Sequence, residues 1–191
     1  MADLFESELA EHLAVAEATK ALRAPFERVV AVSAGALKGG GKLLFFGNGG
    51  SAADAQHLAT EFTIRYKSDR AAMAAIALTT DTSALTAAGN DFGFEHIFSR
   101  QIEAIGKRGD VAIGITTSGR SANVIKAFET ARSMGLATVA FTGGTGGDCA
   151  RVADHLLIAP SKTTARIQEM HIMLGQMLCA ALEVELGLAR P

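Results

Sequence analysis

The sequence is poor in cysteine, proline and aromatic residues, and the shortage of cysteine argues against a disulfide-stabilised protein. Its 191 residues include two cysteines, three prolines and no tryptophan. Cys149 and Cys179 form no CxxC pair and lie among apolar or small residues. Neither a disulfide framework nor a cysteine-based metal site is therefore expected. We interpret both as reduced thiols that serve only in packing.

Concentrated charge and long apolar runs are also missing. The formal net charge is −2 and no basic run appears, so neither nucleic acid nor a membrane is an expected partner. The first residues are acidic and lack the layout of a signal peptide. No stretch approaches the roughly 20 uncharged apolar residues of a membrane span. We therefore expect a cytoplasmic protein.

What the sequence does have is an ordinary globular composition, with 49% apolar and 20% charged residues. A chain of this length can bury roughly 70% of the surface that its unfolded form exposes, so its core needs no disulfide or metal. No internal repeat, linker or low-complexity segment divides it. We expect one domain over residues 1–191.

The spacing of apolar residues predicts two helices and then strands that alternate with helices. The first two helices are predicted at 4–22 and 25–37, and three glycines at 39–41 end the second. Short apolar runs predict strands at 42–46, 74–78, 111–115, 137–141 and 155–158. Helical patterns follow at 51–66, 94–105, 121–134 and 164–186. Such alternation predicts an α/β sandwich with a parallel sheet of five strands.

The first predicted strand ends in a glycine-rich loop, Gly47 to Asp54. Its glycines would let a ligand approach the backbone, and Ser51 opens a helix whose free N–H groups suit an anion or a polar sugar end. A tight turn with a serine cap would also explain the loop. The glycine spacing is not that of a dinucleotide fingerprint and the P-loop lysine is missing, so nucleotide binding is not supported.

A second loop places four hydroxyls in six residues directly after the strand at 111–115. They belong to Thr116, Thr117, Ser118 and Ser121. Together with helix N–H groups, they could satisfy three phosphate oxygens without a cation. A polar linker is the alternative. We favour a phosphate-binding turn, because open parallel sheets bind ligands beyond the carboxyl ends of their strands.

Two helices carry polar residues that could do chemistry. His57 and Glu61 are four residues apart and so share a helix face, where they could bind a divalent metal or transfer protons. A solvated helix face would also explain this pair. The same alternative holds for the polar segment from Arg166 to His171 at the start of the last helix.

Taken together, these segments resemble the sugar isomerase (SIS) domain superfamily, and within it the phosphoheptose isomerases. The matching segments follow the order of the family: Gly47–Ser51 with His57 and Glu61, Gly89–Gly93, Thr117–Gly119 with Ser121–Asn123, and Arg166–Glu169. The resemblance implies a flavodoxin-like three-layer sandwich around a five-stranded parallel sheet, preceded by N-terminal helices. It also implies a homotetramer in which residues 1–38 pack between subunits and active sites lie at the interfaces.

The resemblance further implies an activity, a cofactor and a set of site residues. The activity is the conversion of sedoheptulose 7-phosphate to D-glycero-D-manno-heptose 7-phosphate, the first step towards bacterial surface heptose. The implied substrate-binding residues are Asn48, Gly49, Gly50, Ser51, Glu61, Asn90, Asp91, Thr116, Thr117, Ser118, Ser121 and Gln168. The implied ligands of one zinc ion per subunit are His57, Glu61, Gln168 and the residue at position 176. Glu61 and position 176 are also implied as the acid–base pair.

One position departs from the family. A histidine is expected five residues beyond His171, and this chain has Gln176 there. An amide does not titrate near neutral pH and is a weaker zinc ligand than an imidazole. A non-catalytic SIS-domain protein, such as the DnaA initiator-associating protein, is therefore the alternative. The presence of His57 and Glu61 favours the enzyme.

Overall fold

The structure, a computed structural model, describes residues 2–189. Its α-helices are α1 (Ala2–Ala18), α2 (Arg23–Lys38), α3 (Gly50–Thr63), α4 (Thr82–Asp91), α5 (Ser99–Ile105), α6 (Ala122–Ser133), α7 (Cys149–Val152) and α8 (Thr164–Glu185). Short 3₁₀ helices lie at Thr19–Leu22 and Phe94–His96. The strands are β1 (Leu43–Gly47), β2 (Ala75–Ala77), β3 (Val111–Ile115), β4 (Ala137–Gly143) and β5 (His155–Ala159).

The five strands form one parallel sheet in the order β2-β1-β3-β4-β5. This is the flavodoxin-like order of a doubly wound sheet. Every residue of β1 and β3 is buried, which explains their uninterrupted apolar sequences, since helices cover both faces. The predicted sandwich and its five parallel strands are confirmed.

Each face of the sheet carries its own hydrophobic cluster. On one face, α2, α3 and α8 pack over strand residues such as Phe45 and Ile113. On the other face, α4, α5 and α6 pack over residues such as Phe46 and Ala112. Alternate residues along a strand point to opposite faces, so each strand serves both clusters. Among the residues that the structure describes, no helix is long and apolar enough to cross a bilayer.

Four helices differ from the sequence prediction. The first predicted helix is divided, because α1 ends at Ala18 and a 3₁₀ turn leads into α2. The helix predicted at 94–105 is a 3₁₀ turn followed by α5. The sequence prediction includes neither the four-residue α7 nor α4, whose only buried residue is Ala88. Small residues and threonines dominate α4, so it lacks the apolar periodicity on which the prediction depended. Its start is capped instead, since the Asp81 carboxylate accepts a hydrogen bond from the Ala84 N–H at 2.9 Å.

Candidate active site

The strand order reverses between β1 and β3, and the loops that follow these strands meet there. The helix after β1 lies on one face of the sheet and the helix after β3 lies on the other. The two loops are joined by a pair of side-chain amides. Asn48 Nδ2 donates to Asn123 Oδ1 at 2.9 Å, and Asn123 Nδ2 donates to Asn48 Oδ1 at 2.8 Å. Ligands of doubly wound sheets bind at this kind of crevice.

The loop after β1 turns sharply into α3. Gly49 has φ +56° and is the residue before the first helical position, Gly50, so a residue with a side chain would be strained there. Ser51 is the second residue of α3, its side chain makes no capping bond, and it is buried. The sequence reading of a serine cap is therefore wrong, because the helix begins one residue earlier than predicted. A Cβ added to Gly50 would lie 2.5 Å from Gln168 Nε2, so the Gln168 amide covers the start of α3.

Three of the predicted site residues from α3 and α8 form one cluster. His57 Nε2 lies 3.2 Å from Glu61 Oε1 and 3.4 Å from Gln176 Nε2. The side chain of His57 is 48% exposed and that of Glu61 is 20% exposed, so the cluster is open to a ligand. We call His57, Glu61 and Gln176 the reactive cluster. It combines a carboxylate and an imidazole, which can transfer protons at a bound sugar, with an amide, which can hold a sugar oxygen by hydrogen bonding.

A glycine on α8 allows this cluster to form. A Cβ added to Gly175 would lie 2.5 Å from Leu58 Cδ1, so α8 contacts α3 closely at the residues next to His57 and Gln176. Helices pack at shorter distances where one of them carries a small residue at the contact. Gly175 therefore determines how near the amide of α8 comes to the imidazole of α3.

The loop after β3 is a turn of hydroxyl groups. Thr116 is buried and its Oγ1 lies 3.1 Å from Ser121 Oγ, the residue before the first turn of α6. Ser118 is exposed and its Oγ accepts a hydrogen bond from the Arg120 N–H at 3.2 Å. The Ser121 side chain makes no capping bond to α6, so the free N–H groups of this helix remain available to an anion. We call residues 116–121 the hydroxyl turn.

A second glycine loop supports the hydroxyl turn from behind. Gly119 has φ +65°, and a Cβ added to it would lie 2.1 Å from Gly146 O. A Cβ added to Gly147 would lie 2.6 Å from Ser118 O, and the Cys149 N–H donates to Gly119 O at 3.0 Å. The two loops thus pack backbone against backbone, which only glycines permit at this distance.

Comparisons with known proteins agree with this architecture. The family model of the SIS domain matches residues 5–143. The phosphoheptose isomerase of Paramagnetospirillum magneticum is 58% identical to this chain over 183 residues, 95% of each. The chain belongs to the phosphoheptose isomerase family. The solved phosphoheptose isomerase structure from Neisseria gonorrhoeae has a TM-score of 0.89 at 43% identity and covers 95% of this chain and 98% of that one. The Francisella tularensis structure gives 0.92 at 34% identity, covering 95% and 97%.

Two substrate-binding residues that the family resemblance implies, Asn90 and Asp91, are hydrogen-bonded to each other. Asn90 and Asp91 end α4, both are exposed, and Asn90 Nδ2 donates to Asp91 Oδ1 at 2.8 Å. Within residues 2–189, neither side chain hydrogen-bonds to the reactive cluster or to the hydroxyl turn. Their role in substrate binding stays a prediction.

The structure also reveals neighbours of the site that the sequence analysis did not single out. Asn123 pairs with Asn48, and the loop at 146–147 supports the hydroxyl turn. Asp54 lies one turn before His57, and its Oδ2 is buried without a hydrogen-bond partner in the described part of the chain. Burial raises the pKa of Asp54, and the nearby His57 lowers it in part. The glycine-rich segment at 143–147 was the available signal for the supporting loop, since four glycines in five residues after a predicted strand indicate tight backbone contacts.

His171 lies outside the reactive cluster, as its helical angle from position 176 predicts. It is fully buried, and its Nε2 donates to the carbonyl oxygen of Thr142 at 3.0 Å. Burial lowers the pKa of His171 to about 4, and the hydrogen bond to Thr142 raises it in part. The imidazole is therefore neutral in the folded protein at neutral pH.

Protonation of His171 should destabilise the fold as the pH falls. The unfolded chain takes up a proton near pH 6.5 and the folded chain only near pH 4, so stability is lost as the pH falls through this window. By pH 5 the loss from this one group is roughly 2 kcal/mol. The measurement is the free energy of unfolding in urea at pH 7.5 and at pH 5. We expect the difference between the two values to be smaller in His171→Gln by this contribution of His171. His96→Gln, which leaves His171 in place, should keep it. An identical pH dependence in wild type and His171→Gln would contradict the assignment.

Proposed function

We propose that this chain is the aldose–ketose isomerase that converts sedoheptulose 7-phosphate to D-glycero-D-manno-heptose 7-phosphate. The observation that carries the proposal is the pairing of Glu61 with His57 at 3.2 Å beside the switch point of the sheet. A protein that only bound its sugar would not require a carboxylate in an open cluster. The identity of up to 58% with proteins named phosphoheptose isomerase supports the same activity.

The hydroxyl turn would hold the phosphate of the substrate. Its hydroxyls and the N–H groups at the start of α6 are neutral donors that can surround phosphate oxygens. Asn48 and Asn123 link the two loops by hydrogen bonds between their side-chain amides. After these bonds, each amide can still donate one N–H and accept at one carbonyl lone pair. These groups would hold the sugar hydroxyls and orient the chain of carbons toward α3.

Moving a carbonyl from C2 to C1 requires transfer of a carbon-bound proton. Glu61 would take the proton from C1 to leave an enediolate and would return it at C2, while the proton of the C1 hydroxyl passes to O2 through the solvent to which the cluster is open. A positioned general base contributes roughly 10²–10⁴ in rate. His57, in contact with Glu61, is placed to orient that carboxylate by a hydrogen bond. Because Gln176 carries an amide, it can hold a substrate oxygen by hydrogen bonding but cannot exchange a proton with it.

We further propose that zinc, one ion per subunit, is held only weakly. His57 and Glu61 offer an imidazole nitrogen and a carboxylate oxygen, both good zinc ligands, whereas the amide oxygens of Gln168 and Gln176 are weaker. Among residues 2–189, no group of three or more His, Cys, Asp or Glu side chains is placed to share a metal. These residues fit zinc with two strong ligands. When bound, the ion would polarise the substrate carbonyl.

The homotetramer implied by the resemblance and the cytoplasmic location expected from the sequence are proposals as well. Segment 2–38 exposes a row of large apolar side chains on α1, which are Leu4, Phe5, Leu9 and Leu13. Such a row favours burial against other copies of the chain. Both cysteines are buried free thiols, as is usual in a reducing compartment. The reaction product, D-glycero-D-manno-heptose 7-phosphate, would supply heptose for bacterial surface polysaccharide. Sedimentation of the pure protein tests the assembly, and a monomer at micromolar concentration would contradict it.

The activity is tested with the purified chain and sedoheptulose 7-phosphate, with and without Zn²⁺. We expect the aldoheptose phosphate to form, detected by NMR of its anomeric proton. Absence of product at high enzyme concentration, together with retained binding of the sugar phosphate, would favour the non-catalytic alternative.

Replacing Gln176 with histidine should raise turnover. In the wild type, Gln176 Nε2 lies 3.4 Å from His57 Nε2. The variant places a titrating group at this position, and a second acid–base group is worth roughly tenfold or more. We expect a kcat increase of that order for Gln176→His. Met177→His, which adds an exposed histidine one residue away, should leave kcat unchanged. An unchanged or lower rate for Gln176→His would show that position 176 has no proton-transfer role in this chain.

A further inference from the structure

A buried guanidinium joins the end of α3 to α8. The side chains of Arg70 and Glu183 are 1% and 3% exposed, and Arg70 Nε donates to Glu183 Oε1 at 2.9 Å. Arg70 Nη1 donates to the carbonyl oxygens of Phe62 at 2.8 Å and Ala71 at 3.1 Å. Arg70 Nη2 donates to the carbonyl oxygen of Glu61 at 2.6 Å. One side chain thus contacts the residue of the reactive carboxylate, the segment that follows it and the last turns of α8.

Two of these contacts are with carbonyl groups in the last turn of α3. The last four carbonyl groups of a helix have no partner within the helix, and Glu61 and Phe62 supply two of these carbonyls in α3. A cation at this end also interacts favourably with the helix dipole. The planar guanidinium can serve several acceptors at fixed angles, which a lysine ammonium cannot do. Arg70 therefore fixes the backbone position of Glu61 rather than merely neutralising Glu183.

Glu183, the carboxylate partner of Arg70, lies on α8, the helix that also carries Gln176 of the reactive cluster. Glu183 follows Gln176 by seven residues, which is two turns along α8. The α3–α8 distance is therefore held at two levels, by Gly175 against Leu58 beside the cluster and by Arg70 with Glu183 beyond it. A cluster whose members come from two helices keeps its geometry only if both helices are held.

We propose that Arg70 is a positioning residue for the isomerisation: through the carbonyl of Glu61 and the carboxylate of Glu183 it sets the place of the reactive carboxylate relative to α8. The proposal rests on the proposed function of Glu61. It predicts an effect on the chemical step and little effect on substrate affinity, because the hydroxyl turn lies between β3 and α6 and Arg70 donates to none of these segments.

The first test is Arg70→Lys. The lysine keeps the charge beside Glu183 but cannot also donate to both α3 carbonyls. We expect kcat to fall roughly 10- to 100-fold, the scale of a misplacement of about 1 Å, with KM changed less than about twofold. Lys42→Met is the matched control. It removes the partner of buried Asp110, whose carboxylate lies 2.6 Å from Lys42 Nζ at the opposite end of the sheet, and it should leave kcat unchanged.

The second test separates positioning from stability. In Arg70→Met/Glu183→Met both charges are removed together, and well-packed apolar residues often replace a buried ion pair at little cost to stability. We expect urea unfolding near that of wild type while kcat stays low, because the Glu61 carbonyl still has no donor. Recovery of kcat together with stability would overturn the proposal, and so would a kcat of Arg70→Lys equal to that of wild type.

Amide hydrogen exchange gives a readout that does not depend on turnover. In Arg70→Lys, we expect exchange in the last turn of α3, residues 60–64, to quicken at least several-fold while β3 and α6 keep their protection. If wild type shows no isomerase activity but this change appears, the proposed function fails and the structural contact stands. Unchanged exchange in residues 60–64 would overturn the positioning role.

Discussion

Replacing Glu61 with glutamine is expected to reduce kcat roughly 10²- to 10⁴-fold, which is the contribution of a positioned general base. Glutamine has the same shape as glutamate and can still hydrogen-bond to His57, so the helix and the binding loops should be unaffected. KM should therefore change little. The measurement is the steady-state rate with sedoheptulose 7-phosphate, together with exchange of the C1 hydrogen with deuterated solvent, which reports proton abstraction directly.

The matched control for this variant is Glu103→Gln. Glu103 is an exposed glutamate of α5 that pairs with Arg100 on the surface, so its replacement should alter neither kcat nor KM. A Glu61→Gln variant that kept more than a tenth of wild-type turnover and still exchanged the C1 hydrogen would identify another base. The candidates would then be sought among the titratable neighbours, of which His57 is in direct contact.

Replacing Gly119 with alanine is expected to weaken binding of the substrate phosphate at least tenfold. The new Cβ would lie 2.1 Å from Gly146 O, so the two loop backbones must separate. Gly119 also has φ +65°, a conformation that costs an alanine roughly 1–2 kcal/mol. Separation of the loops would displace the hydroxyls on either side of residue 119 and the first N–H groups of α6. Calorimetry with the substrate, and with inorganic phosphate as a smaller probe, measures the loss.

Gly144→Ala isolates the contribution of the clash from that of the backbone strain. Gly144 has φ +60°, and a Cβ built there meets no described atom within 4 Å. This variant should lose stability by a similar strain term while keeping its affinity for phosphate. Equal affinities for Gly119→Ala and wild type would show that the phosphate lies elsewhere. Equal losses in both glycine variants would assign the effect to strain alone.

The sheet could be predicted from the sequence because its strands are buried on both faces. The run from Leu43 to Phe46 is apolar at every position, and the structure buries each of these residues completely. The helix α4 could not be predicted in the same way. It is short and mostly exposed, and the Asp81 cap that begins it is a contact of one side chain rather than a periodic pattern.

The residues of the candidate site also differ in how far they could be predicted from the sequence. His57 and Glu61 were predictable as a pair because their spacing on one helix brings them together whatever the rest of the chain does. The contact with Gln176, 119 residues further along, depends on how α8 packs on α3. Arg70 could not be found at all, since its four acceptors come from α3, the segment that follows it and α8. Only the folded chain shows that a charged residue in a polar stretch is buried.

The composition of the hydroxyl turn has a consequence for the pH dependence of substrate affinity. The groups that would receive the phosphate are the hydroxyls of the turn and backbone amides. None of them ionises near neutrality. Affinity should then follow the ligand's own second ionisation, close to pH 6 for a phosphate monoester. The rate of turnover depends in addition on the reactive cluster, which lies on α3 and α8 outside the hydroxyl turn.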